Sequence, residues 1–171
     1  NGDGTVASTS TTSAYTADGK HTQDVGDKAY DITTILNNTN YQFGTDAAGK
    51  AVTANTYKNT ASVTKAALTV TTGDIDTTYG TVNKNYQTTV SGLVNGDQES
   101  IVNKTYDTKA YVDDTHTNNA GNYDLNTNVA ELTNYTVTTN TAKVDVGVKT
   151  VNLTPSGTGT TVADAVITDG T

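Results

Sequence analysis

The chain repeats itself. Asn1-Gly2-Asp3 returns as Asn95-Gly96-Asp97, and the residues that follow return in the same order. Ala14-Tyr15 answers to Ala110-Tyr111 and His21-Thr22 to His116-Thr117. Tyr30-Asp31-Ile32 answers to Tyr123-Asp124-Leu125, and Thr39-Asn40-Tyr41 to Thr133-Asn134-Tyr135. The offset stays near ~94 residues and drifts by one or two, as small loop insertions between two copies of one unit would make it. A period of this kind decides what sort of object a chain is. These 171 residues read as an array of modules and not as a single catalytic body.

The modules read as β. No helical periodicity of useful length occurs, while alternation with a two-residue period recurs. It marks Ser62–Thr71, which closes on Leu68-Thr69-Val70-Thr71, then Tyr86–Val94, Tyr135–Thr139 and the long run Ala142–Leu153. Val162, Ala163, Ala165, Val166 and Ile167 form a last candidate strand. Asn95-Gly96 supplies a strong hairpin signal, because both residues tolerate positive φ. Ala17-Asp18-Gly19-Lys20, Gly44-Thr45-Asp46, Asn118–Asn122 and Pro155-Ser156-Gly157 read as further turns. Pro155 is expected to end the long strand or to mark an edge. Short strands with such punctuation indicate an all-β sandwich or barrel-like module.

Composition agrees and excludes. Threonine is roughly a quarter of the chain, and ten of the eleven aromatics are tyrosine; both suit a pleated, half-buried surface. The net charge is −8, arginine is absent and the ten lysines are scattered, so no basic patch for nucleic acid exists. Zero cysteine excludes disulfides, thiolate metal sites and cysteine nucleophiles. No stretch approaches the ~18 apolar residues of a membrane span. Asn1 begins inside a module, so the expectation is a processed chain or an internal piece of a longer one.

The motif order can now be compared with a known pattern. Ala-Ala-Leu-Thr-Val-Thr-Thr-Gly-Asp (66–74) leads to Thr-Tyr-Gly (78–80), then to Tyr-Gln-Thr-Thr-Val-Ser-Gly-Leu-Val-Asn-Gly-Asp (86–97). Ala-Gly-Asn-Tyr-Asp-Leu (120–125), Thr-Asn-Tyr-Thr-Val (133–137) and Ala-Lys-Val-Asp-Val (142–146) follow. This resembles the MBG/YDG-type repeats of large bacterial surface adhesins of the filamentous-haemagglutinin kind. The resemblance implies tandem Ig-like β-sandwich modules, the first incomplete, forming an extracellular stalk at the bacterial surface with no enzyme activity. The expected layout is the second part of an incomplete module over 1–65, a complete module over 66–146, and a strand-like tail over 147–171. That tail begins a further module or serves as a donor strand. The first copy lacks the equivalents of Ala66–Val94 and should leave a sheet edge unpaired. Expected partners are neighbouring modules or subunits through such edges, with filament self-assembly as the alternative function.

No residue set writes a reaction. His21 and His116 occupy equivalent positions among Thr and Asx neighbours and read as surface residues, and no Gly-x-Ser-x-Gly is present. Asp3, Asp18, Asp46 and Asp97 lie within two residues of a glycine and read as turn formers, and Asp113-Asp114 as solubilising charge. The weak candidates for a Ca2+ site are Asp74 and Asp76, since that ion takes six to eight oxygens, roughly, and the two flank Ile75. Tyr30, Tyr41, Tyr123 and Tyr135 fall at repeat-equivalent positions and are expected in the core, with glycan stacking on exposed rings as the alternative.

Overall fold

A computed structural model describes residues 6–26, 29–46, 48–52, 54–156 and 164–169, with no side chains described from residue 153 on. The described chain is all-β and sandwich-like. Its strands are β1 (Ser8–Thr12), β2 (Tyr30–Leu36), β3 (Thr56–Ala61), β4 (Ala66–Thr72), β5 (Ile75–Thr78) and β6 (Thr88–Ser91). After a single 3-10 turn at Glu99–Ile101 come β7 (Lys104–Thr108), β8 (Gly121–Val129), β9 (Tyr135–Thr139), β10 (Thr141–Gly147), β11 (Val151–Ser156) and β12 (Asp164–Asp169). Two compact units result. One is Asn1–Ala67 with Leu93–Gln98 and Leu132–Thr136; the other is Leu68–Gly92, Glu99–Glu131 and Val137–Thr171.

Among the described residues the core of the second unit lies on two sheets, one ordered β5-β10-β8-β7 and one ordered β6-β4-β9, and a further two-stranded sheet β11-β12 follows. Alternation in the sequence becomes alternation in burial. Leu68, Val70 and Thr72 of β4 point inward, as do Ala142, Val144 and Val146 of β10. Ile75, Ala110, Leu125, Ala142, Val144 and Val146 form one cluster, with Tyr86, Tyr106, Tyr111 and Tyr123 packed around it. Tyr86 and Tyr106 stack with ring centroids 4.2 Å apart. Threonine in a core must satisfy its hydroxyl. Thr72 and Thr127, both buried, bond to each other at 2.5 Å, and Thr88 Oγ1 lies 2.8 Å from the Tyr106 hydroxyl. Among the described residues no buried side-chain polar atom lacks a partner.

The first unit carries one sheet, β1-β2-β3, which reproduces β7-β8-β10. Thr12 pairs with Ile32 as Thr108 pairs with Leu125. Tyr30 pairs with Ala61 as Tyr123 pairs with Val144. The extra residues of the first copy lie between β2 and β3, where Thr45 and Ala51 form a small bridge.

Several sequence expectations shift. The Tyr86–Val94 strand shrinks to Thr88–Ser91, because Leu93 and Val94 lead into the Asn95-Gly96 turn, with φ of 56° and 77°. Ser62–Lys65 is not strand; β4 starts at Ala66. The long run is two strands. β10 ends at Gly147, where its pairing with β5 ends, one residue after its pairing with β8, and Val148 is 79% exposed before β11 begins. Pro155 lies inside β11 rather than at its end, and the edge alternative holds: among the described residues β11 pairs with β12 alone, so it is an edge strand. Val162 and Ala163 fall outside the described residues.

Candidate functional site

Each repeat copy builds the same hairpin loop. Tyr15 bridges Thr22 in one, and Tyr111 bridges Thr117 in the other. The backbone bonds correspond: Thr16 N to His21 O at 2.8 Å with Val112 N to His116 O at 2.9 Å, and Gln23 N to Ala14 O at 2.8 Å with Asn118 N to Ala110 O at 2.7 Å. Ala14 and Ala110 are both buried beneath the loop. Within each loop an aspartate clasps a histidine three residues on. Asp18 Oδ2 lies 2.8 Å from His21 Nδ1, and Asp113 Oδ2 lies 2.8 Å from His116 Nδ1.

Both carboxylates also gather turn donors. Asp18 accepts from Thr16 Oγ1 and Lys20 N, and Asp113 from Thr115 N, Thr115 Oγ1 and His116 N. The Thr16 hydroxyl chiefly, then the Lys20 amide, holds the Asp18 carboxyl well below its usual range; the Thr115 amide does the same chiefly for Asp113. A folded-state value lowered this way gives stability present above the ordinary carboxylate pKa and lost as pH falls through the folded value. The expected result is that the Lys20 and Thr115 amide resonances hold steady down to about pH 4 and move only below it. Movement that is complete above about pH 5 would mean that the carboxylate does not set the loop. The spacing Asp-x-x-His in both copies was legible, although the histidines alone gave no hint of a partner.

The two calcium candidates lie at the start of β5 and just before it. Asp74, in the β4–β5 connection, accepts from Lys143 N at 2.7 Å and so pins that connection to the start of β10. Asp76 is exposed on β5 opposite Asp145. Among the described residues no three His, Cys, Asp or Glu side chains stand together as a metal would need.

The tyrosines divide. Tyr135 is 3% exposed, and its hydroxyl donates to Asp97 Oδ2 at 2.7 Å and accepts from Val94 N at 3.0 Å. Desolvation is the main cause that raises its pKa. Tyr123 is half-buried, with its hydroxyl donating to Asn119 O, as Tyr30 donates to Asp24 O. Tyr41 contradicts the core expectation. It is 38% exposed in coil, because among the described residues the first unit has no strand equivalent to β9 to hold it.

The feature with the character of a site is a cleft in the first unit. Its volume is about 410 Å3, and it is floored by Ile32, Ala61 and Val63 and edged by Tyr15. Among the described residues β3 has β2 on one side and no strand on the other. The sequence pointed to an unpaired edge here, but not to a cleft or to its lining.

Comparison finds one likeness, and it lies within the second copy. Residues 68–145 match the family model of the MBG domain (YGX type), as the motif order led one to expect of an MBG-type repeat. Such a domain is a structural repeat module. No curated protein and no solved structure matched the chain.

Proposed function

We propose that the chain is a structural segment of a large extracellular adhesin of the bacterial surface, where tandem β-modules act as a stalk that carries a binding region outward. The observation that supports this most is the internal duplication, seen in matching strand registers and matching loops, together with the MBG-type match over 68–145. Modules stacked in this way contact mainly their neighbours, so length is gained without new chemistry. The threonine-rich, cysteine-free composition fits a fibre held by ladders and hydroxyl bonds. The test is location. Antibody raised against residues 66–146 is expected to label intact source cells, and mild protease treatment of those cells should remove the signal. Labelling that appears only after lysis overturns the reading.

One observation favours a second reading, a filament subunit joined by strand addition: the open edge of β3. Sheet edges are ready templates for another strand. In that reading the tail is the donor.

A further inference from the structure

The second unit brings two tyrosine rings face to face. Tyr86 leads into β6, and Tyr106 lies on β7. Their ring centroids are 4.2 Å apart with 23° between the planes. Among the described residues no other two tyrosine rings stack in this way. Both rings are half-buried and packed against the cluster that holds Ile75, Leu125 and Val144, which keeps them side by side. The Tyr106 hydroxyl is fixed further, 2.8 Å from Thr88 Oγ1.

The pair spans the sandwich. β6 belongs to the sheet β6-β4-β9 and β7 to the sheet β5-β10-β8-β7. A bond between the rings therefore joins the two sheets and closes a loop of about twenty residues. In antibody-type sandwiches a disulfide makes such an inter-sheet link, and this chain contains no cysteine. The first copy has no ring to match Tyr106. Ser10 stands opposite Thr34 there, as Tyr106 stands opposite Thr127.

We propose that Tyr86 and Tyr106 form an oxidative cross-linking site, at which a carbon–carbon bond between the rings staples the two sheets of the second unit together. The co-reactant is a one-electron oxidant, here hydrogen peroxide acting through a haem peroxidase. Each phenol gives up one electron and its hydroxyl proton. The two phenoxyl radicals join through ring carbons ortho to oxygen, and each displaced ortho hydrogen then moves to the oxygen of its own ring. The pair loses two hydrogen atoms in all, and one peroxide is reduced to two waters. Burial raises the Tyr86 pKa, so this ring is a neutral phenol at neutral pH and its electron leaves together with the proton. Tyr79 is more exposed and meets an oxidant sooner. Among the described residues no tyrosine ring stacks on it, so its radical couples between chains, which dilution suppresses.

The test oxidises the full chain at high dilution with hydrogen peroxide and a haem peroxidase. The expected product runs as a single chain on a denaturing gel, is lighter by two hydrogens and carries dityrosine fluorescence. Trypsin cuts after Lys84, Lys104 and Lys109, so the digest should contain peptide 85–104 joined to peptide 105–109, each with one tyrosine. Tyr86→Phe and Tyr106→Phe retain the stacked rings and should each abolish the joined peptide. Tyr79→Phe and Tyr111→Phe should leave it in place. Closing a loop of this size should slow amide exchange at Leu125 and Val144 by about a hundredfold, with no change in β1, β2 and β3. Three results overturn the proposal: no joined peptide of 85–104 with 105–109, cross-linking through Tyr79 or Tyr111 in its place, or a product that is mainly dimeric. None of them bears on where the protein resides, so the stalk reading stands or falls separately.

Discussion

Replacing Leu125 by alanine should cost the second unit about 2–5 kcal/mol, the usual range for a large buried aliphatic whose cavity cannot collapse. Leu125 is fully buried in the cluster with Val144 and Val146, between strands held on both sides by β7 and β10. The same truncation at its repeat equivalent, Ile32→Ala, should cost only about 1 kcal/mol, because that side chain is half in water already. Amide exchange is the right measurement, since it reads the stability of each unit separately. Equal losses at the two positions would mean that the first unit is as closed as the second and that its cleft is shallow relief.

The second large effect concerns Tyr135. Truncation to alanine should cost about 3–5 kcal/mol in buried ring and packing. Tyr135→Phe should cost about 1–2 kcal/mol, because the hydroxyl serves both the Val94 amide and the Asp97 carboxylate. The phenylalanine variant should also free the Asn95-Gly96 turn, visible as faster exchange at Asp97 N, which bonds to Val94 O at 3.0 Å. A phenylalanine variant as stable as the parent would show that the ring alone holds the turn.

The order and alternation of the chain made much of this fold legible. Leu68 and Val70 with Thr between them, or Ala142, Val144 and Val146, announce strands with one buried face, and they are. The Asn-Gly turn and the repeat-equivalent loops were legible for the same local reason, steric freedom at defined positions. Strand ends were not. Val148 and Val94 continue an apolar pattern, but a strand lasts only as long as a partner lies beside it, and pairing is a tertiary fact. Tyr41 fails in the same way. Its sequence matches Tyr135, yet burial needs a second sheet, and among the described residues the first unit carries only β1-β2-β3. The cleft was half legible: counting strands across the repeat predicts an open edge, but only paired registers identify Ala61–Thr64 as its lip.

One detail of the second unit bears on how such a module would carry load. β4 begins at Ala66 and β10 ends at Gly147, and β10 lies parallel to β5, which follows β4 after a two-residue connection. Tension between those two ends therefore draws β5 and β10 in opposite directions along their shared axis. The ladder from Ile75–Thr78 to Val144–Gly147 is sheared, and its hydrogen bonds must give way together rather than unzip one by one. Asp74, bonded to the Lys143 amide at the head of that ladder, sits where the slip would have to begin.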